Sequence, residues 1–210
     1  MSISVLIPAY NEEKTIEEVI KAVKECNMVK EIIVIDDGSK DGTAKIAEDL
    51  GVHVERLPQN MGKGAALKRG LDVSKGDIII FLDADLIGLK PEHIRLLVEP
   101  VLKGSAGMTV GIFKKGRKTT DLSQYLTPFL SGQRALRKDL LSNFDKIEFT
   151  KYGIEVALTK YAKSKNIKVE FVNLYDVTHL MKEEKRGFIK GSLDRLKMYY
   201  QLLRQLFIKY

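Results

Sequence analysis

The chain has 210 residues and a hydrophobic fraction of 44%, enough for one well-filled core, and no apolar run reaches the ~18 residues of a membrane-spanning helix. Its formal charge of +7 is uneven: KKGRK at 114–118 and the stretch 182–210 together hold +9, leaving −2 for the rest. No zinc-finger spacing, RNA-recognition signature or basic zipper is visible, so nucleic acid is not an expected partner. An anionic small molecule or a membrane surface suits the basic stretches better.

No basic leader with a small-residue cleavage site precedes the first apolar run, Ile3 to Ile7, so a soluble cytoplasmic protein is expected. Pro8 and Asn11 break that run. Ile16, Val19, Ile20 and Val23 then recur at i, i+3, i+4 and i+7, which predicts a helix with Asn11 placed to cap its start. Cys26 follows at the same spacing as a small core residue and, as a single cysteine, has no internal disulfide partner. Ile32 to Ile35 predicts a second strand closed by DDGSKDGT, and Ile46, Ala47 and Leu50 mark a helix that stops at Gly51. VHVERL at 52–57 reads as a third strand, PQNMGKG as a loop, Ala65 to Val73 as a helix, and Ile78 to Leu82 as the fourth strand. This alternation predicts an α/β fold, a mostly parallel sheet wound right-handedly with its functional edge at the carboxyl ends of the strands.

The second half is less regular. Pro91 opens a helix with Ile94, Leu97, Val98 and Val101 inward; AGMTVGIF (106–113) reads as a strand; and KKGRKTTDLSQYLTPFLSG reads as a long loop. Helices are predicted over Gln133 to Leu141 and Gly153 to Ala162, and a strand over 167–174. His53 and His93 are expected on strand and helix surfaces. The expected organisation is one catalytic domain over 1–191, with a nucleotide-binding half at 1–105 and an acceptor half at 106–191, followed by a helix at 192–210.

FLDAD at 81–85 places Asp83 and Asp85 just past the fourth strand. Two unpaired carboxylates this close repel each other, and the edge of a core screens them poorly. In an extended segment residues i and i+2 face the same way, so both can aim at one point beyond the strand. A hard cation, Mg²⁺ or Mn²⁺, would supply the missing positive charge and fill its remaining positions with water or phosphate oxygens. Asp36 and Asp37 form a second acidic pair at a strand end, suited to a base or ribose hydroxyl. Starting turns or capping helices is the plainer role for both pairs.

VLIPAYNEEKTI, IIVIDDGSKDGT, NMGKGAALKRGL and GDIIIFLDAD follow one another across residues 5–85. In this order and at these spacings they resemble the four successive signatures of family 2-type glycosyltransferases with the GT-A (Rossmann-like nucleotide-diphospho-sugar transferase) fold. The resemblance implies metal-dependent transfer of a hexose from a UDP- or GDP-sugar. It further implies that Pro8, Ala9, Tyr10 and Glu12 line the nucleotide pocket, that Asp37 contacts the nucleoside, and that Lys63 reaches the donor beside Gly62. Asp83, Ala84 and Asp85 would serve sugar and metal. Past residue 105 the likeness thins. SGQRALRKDLL occupies the place where relatives position the acceptor, which assigns Gly132, Gln133 and Arg134 to acceptor binding. KYGIEVALTKYA and VTHLMKEEK resemble stretches of glucosyl-3-phosphoglycerate synthases, whose histidine completes the metal site, a role carried here to His179. Glu155 would bind sugar hydroxyls or take the acceptor's proton, or else simply favour a helix start.

Two acceptors remain open at this stage: a small anionic molecule such as a phosphoglycerate, and a polyprenyl phosphate, as in dolichyl-phosphate-mannose synthase-like enzymes. A nucleotide-sugar-binding module without catalysis is the third reading. In the 192–210 segment Leu193, Leu196, Tyr200, Leu203 and Phe207 recur every three or four residues beside Arg195, Lys197, Arg204 and Lys209. Such a helix can pack on the body, join a second copy as a homodimer, or lie on an anionic bilayer as a peripheral contact.

Overall fold

β1 (Ile3–Ala9), β2 (Glu31–Asp36), β3 (His53–Arg56) and β4 (Ile78–Phe81) alternate with α1 (Ile16–Lys24), α2 (Thr43–Asp49) and α3 (Lys63–Val73). The computed structural model describes residues 1–114, 130–141 and 154–180. Within these, α4 (Pro91–Leu102), β6 (Met108–Lys114), β7 (Arg134–Arg137), α5 (Ile154–Ser164) and β8 (Val169–Tyr175) complete a seven-stranded sheet in the order β3-β2-β1-β4-β7-β6-β8. β1 to β4 are mutually parallel and only β7 runs against its neighbours. A second, two-stranded sheet joins β5 (Leu86–Ile87) to β9 (Thr178–His179) in antiparallel fashion. Among the described residues no helix is long and apolar enough to cross a membrane.

The period-two alternation of the strands divides the core. Val5, Ile7, Ile78 and Ile80 join Ile16, Val19, Ile20, Ile94 and Leu97 of α1 and α4 on one face. Leu6, Ile33, Ile35, Ile79 and Phe81 join Ala66 and Leu67 of α3 and Ile154, Ala157 and Leu158 of α5 on the other. With helices on both faces, β4 is wholly apolar rather than alternating, as central parallel strands are.

Three expectations are corrected. The segment Gln133 to Leu141, expected as a helix, is strand β7 followed by a 3₁₀ turn at Lys138–Leu141. Ala135 and Leu136 fill the space between β4 and β6, and pairing with both strands overrides the weak helical spacing of this stretch. Asn11 does not cap α1. It holds φ 55°, a conformation asparagine tolerates, and its side-chain oxygen accepts the backbone N–H of Lys40 at 2.8 Å. His53 is exposed, as expected, and pairs with Glu55, but His93 is buried. The loop expected from Lys114, apart from its two ends, and the helix expected at 192–210 lie outside the described residues.

His93 Nδ1 accepts the backbone N–H of Lys90 at 3.0 Å and so closes the first turn of α4. Burial, opposed by the pull of Glu92, keeps its pKa below the ordinary 6.5. The unfolded chain therefore takes up this proton more readily. The associated stability is complete above about pH 6.5 and declines as pH falls toward the folded-state value. His93→Gln retains an acceptor that does not titrate, and melting curves from about pH 7 to about pH 5 should fall less steeply than those of the unmodified chain.

Candidate active site

The carboxyl ends of β1, β2 and β4 lie side by side, and their loops are fastened to one another by side chains. The N–H of Asn11 donates to Ser39 Oγ at 2.9 Å and that of Glu12 to Thr43 Oγ1 at 2.8 Å, locking the β1 loop to the β2 loop. Asp36 accepts the N–H of Ser39 at 3.0 Å, the turn-starting role. Asp37, expected at the nucleoside, grips the loop before α3: its two oxygens accept the N–H groups of Met61 and Gly62 at 2.7 and 2.8 Å. Pro8 and Ala9 end β1, and Tyr10 and Glu12 follow, both half-buried.

β4 delivers Asp83 and Asp85 to the same edge as the i, i+2 spacing predicts. Between and around them Leu82, Ala84 and Leu86 point into the core, so the side chain of Ala84, expected at the donor, packs inward and leaves its backbone at the edge. Lys63, the first residue of α3, bridges two carboxylates: its Nζ lies 2.5 Å from Asp83 Oδ1 and 2.6 Å from Glu155 Oε1. Burial pulls the lysine pKa down, but Asp83 and then Glu155 reverse this, and the ammonium stays protonated far above the ordinary lysine range. For Asp83, burial raises the pKa while Lys63 and then His179 more than offset it, so the group is held below the usual carboxylate range.

The segment expected to meet the acceptor also supports Asp83. Gln133 is wholly buried; its Nε2 donates to Asp83 Oδ2 at 3.0 Å and its Oε1 accepts the N–H of Asp83 at 3.1 Å. Gly132 lies against the ion pair, where a Cβ would stand 2.6 Å from Lys63 Nζ and 2.7 Å from Asp83 Oδ2. Arg134 is also wholly buried, and burial, opposed by Glu155, brings its pKa down to about 10, so it remains charged at neutral pH.

His179 reaches the site through the small sheet, in which it pairs with Leu86. Its Nδ1 lies 2.9 Å from Asp85 Oδ1, and the Phe113 ring backs the imidazole at 4.9 Å between centroids. Burial lowers the imidazole pKa, but Asp85 and then Asp83 outweigh it, leaving the pKa above the ordinary histidine value. Among the described residues Asp83, Asp85 and His179 form a group whose ligand atoms all lie within 4.8 Å of one another. Two carboxylates and an imidazole at this separation fit Mn²⁺ or Mg²⁺ with positions left for phosphate oxygens.

Motif reading missed Gly88. It adopts φ 78°, and a Cβ there would lie 2.3 Å from the Asp176 carbonyl oxygen, on the turn that leads into β9. A two-residue strand carries no periodicity, so nothing in the sequence marks this pairing. Gly88→Ala should move β9 and with it His179. Mn²⁺ affinity is expected to fall roughly 10–100-fold, as for loss of groups that orient ligands, although no ligand is changed. Calorimetric titration of Mn²⁺ checks this.

Residues 4–162 match the profile of the family described as Glycosyl transferase family 2. The chain belongs to that family. It is similar to the glucosyl-3-phosphoglycerate synthase of Mycobacterium tuberculosis (strain CDC 1551 / Oshkosh), 40% identical over 121 residues that cover 53% of this chain and 37% of the synthase. An undecaprenyl-phosphate 4-deoxy-4-formamido-L-arabinose transferase of Pseudomonas fluorescens (strain Pf0-1) is 35% identical over 133 residues, 59% of this chain and 38% of the transferase. The family 2 chain thus spans well under two thirds of the length of these curated relatives. In three dimensions it superposes on the M. tuberculosis synthase crystallised with Mn²⁺, UDP-glucose and phosphoglyceric acid, with TM-score 0.77 and 31% identity over 98% of this chain and 78% of that one. The GT-A fold implied by the four motifs is the fold observed.

Proposed function

We propose that this family 2 chain is a metal-dependent hexosyltransferase that moves glucose from UDP-glucose to a small phosphate-bearing acceptor of the phosphoglycerate type. The observation that carries the reading is the position of Asp83, shared between the Asp85 and His179 cluster on one side and the Lys63–Glu155 pair on the other. Such a site has one end for a diphosphate and one for a sugar. Asp85 and His179, with Asp83 beside them, would hold Mn²⁺ or Mg²⁺. When bound, the ion supplies positive charge to the diphosphate as the glycosidic bond breaks. The chain's own residues do the rest. Asp37 shapes the nucleotide pocket by holding the Met61–Gly62 backbone. Asp83 and Glu155 present carboxylate oxygens to the sugar hydroxyls, and Lys63 holds both in place before the sugar arrives, so little reorganisation is left for the reaction itself.

The M. tuberculosis structure, holding UDP-glucose and phosphoglyceric acid together, favours this donor and acceptor. The undecaprenyl-phosphate transferase keeps a polyprenyl phosphate as the second reading. The test is release of UDP from UDP-glucose by the purified full chain with Mn²⁺, offering 3-phosphoglycerate or a polyprenyl phosphate in detergent. Release that depends on both metal and 3-phosphoglycerate is expected. Release with the lipid alone would select the second reading, and UDP binding without turnover on any acceptor would mark a non-catalytic module.

A further inference from the structure

The contacts around Asp83 and Glu155 close into a ring, and its rear half uses a residue with no access to the cleft. At the front Lys63 joins the two carboxylates, and Gln133 holds Asp83 through two hydrogen bonds. At the back the Arg134 guanidinium donates from Nε to the Ser131 carbonyl at 2.9 Å and from Nη1 to Thr159 Oγ1 at 3.0 Å, with Met108 Sδ at 3.8 Å. The Thr159 hydroxyl in turn donates to the Glu155 carbonyl at 2.9 Å, one turn earlier in α5. Arg134 therefore ties the segment that grips Asp83 to the helix that carries Glu155, by contacts separate from those of Lys63. Its relative exposure is 0%, so its side chain does not meet an acceptor in the cleft.

We propose that Arg134 is a positioning residue that sets the separation of Asp83 and Glu155 through Ser131 and Thr159. A lysine could not replace it. The guanidinium presents donors in a rigid planar fork that fixes two partners at once, whereas an ammonium on a flexible stem fixes neither direction. The same contrast explains why Lys63 alone does not set the spacing. Its rotatable stem can follow the two carboxylates as they drift, while the Arg134 fork resists that drift from within the core.

The consequence for activity rests on the hexosyltransferase reading; the consequence for Lys63 does not. Arg134→Lys and Thr159→Val, each in the full chain, break the rear link at different points, and the second preserves side-chain shape. Two readouts follow: steady-state kinetics of UDP-glucose consumption, and the rate at which an amine-acylating reagent modifies Lys63, followed by mass spectrometry. A displacement of about 1 Å between the carboxylates predicts a loss in kcat of roughly 100-fold with the acceptor KM little changed. Lys63 should be acylated faster in both variants. A raised acceptor KM with kcat retained would make Arg134 an acceptor contact and overturn the proposal. A lowered Tm with kcat and Lys63 acylation unchanged would reduce it to a packing residue and overturn it as well. If the unmodified chain consumes no sugar nucleotide, the functional reading fails by itself, and the acylation rates still decide the role of Arg134.

Discussion

Asp85→Ala is expected to lower UDP-glucose turnover by roughly 10²–10³-fold, the range for loss of a group that stabilises developing negative charge, and to leave the fold intact. The backbone of the site does not depend on the carboxylate: the Asp85 carbonyl still accepts the N–H of Leu180, and β5 still pairs with β9. What disappears is one of the two carboxylates in the metal cluster and the partner that keeps the His179 imidazole in place. Asp83 and Asp85 also repel each other, since the charge of Asp85 opposes ionisation of Asp83. Without metal, relief of that repulsion and loss of the His179 contact oppose each other, so the variant should melt close to the unmodified chain. The difference emerges on adding Mn²⁺. Saturating ligand at about 100 times its Kd stabilises a folded protein by about 2.7 kcal/mol, and this rise in melting temperature should be lost in Asp85→Ala. Paired melts with Mn²⁺ and with a chelator read both halves of the expectation.

Lys63→Met is the second substitution with a large expected effect, and here stability and activity fall together. One ammonium serves two carboxylates whose side chains are only 18% and 15% exposed. Breaking a fully buried pair from one side costs about 3–5 kcal/mol, and the residual solvent contact at this site brings the expectation to about 2–3 kcal/mol. Methionine fills much the same volume, so the loss isolates charge from packing. Activity should drop by at least about 100-fold, because Asp83 and Glu155 would then repel each other across the cleft rather than converge on it. Adding Glu155→Gln to Lys63→Met removes one of the two stranded charges. The double variant should regain part of the lost stability in urea unfolding but none of the turnover. Lys63→Arg is not a conservative alternative, since Gly132 already lies against Nζ and leaves no room for a larger head group.

Much of the donor half was legible because its signals are local. Apolar runs ending in polar clusters marked β1, β2 and β4, and the i, i+2 spacing placed Asp83 and Asp85 together at the end of β4. The contacts that organise the site were not legible, because they join distant residues: Lys63 reaches 20 residues on to Asp83 and 92 residues on to Glu155. His179 was found only through likeness to a known motif. A lone histidine carries no spacing signal, and its approach to Asp85 depends on two-residue strands and on the backbone crowding at Gly88. The contacts of the acceptor segment were hidden for a related reason. Likeness to relatives assigned Gln133 and Arg134 to the acceptor, and only the folded sheet shows that both are buried, Gln133 bonded to Asp83 and Arg134 to Thr159. Asp37 was assigned to the nucleoside by the same likeness, and its hold on the loop that leads into α3 again joins residues far apart in the chain.

The most direct test of a metal-dependent sugar-nucleotide site at the end of β4 is a calorimetric titration of UDP-glucose into the full chain, first with chelator and then with Mn²⁺. Binding that appears, or tightens at least about tenfold, when Mn²⁺ is supplied, and that Asp85→Ala abolishes, is the expected result. Equal affinity with chelator and with Mn²⁺, or no heat of binding under either condition, would contradict it.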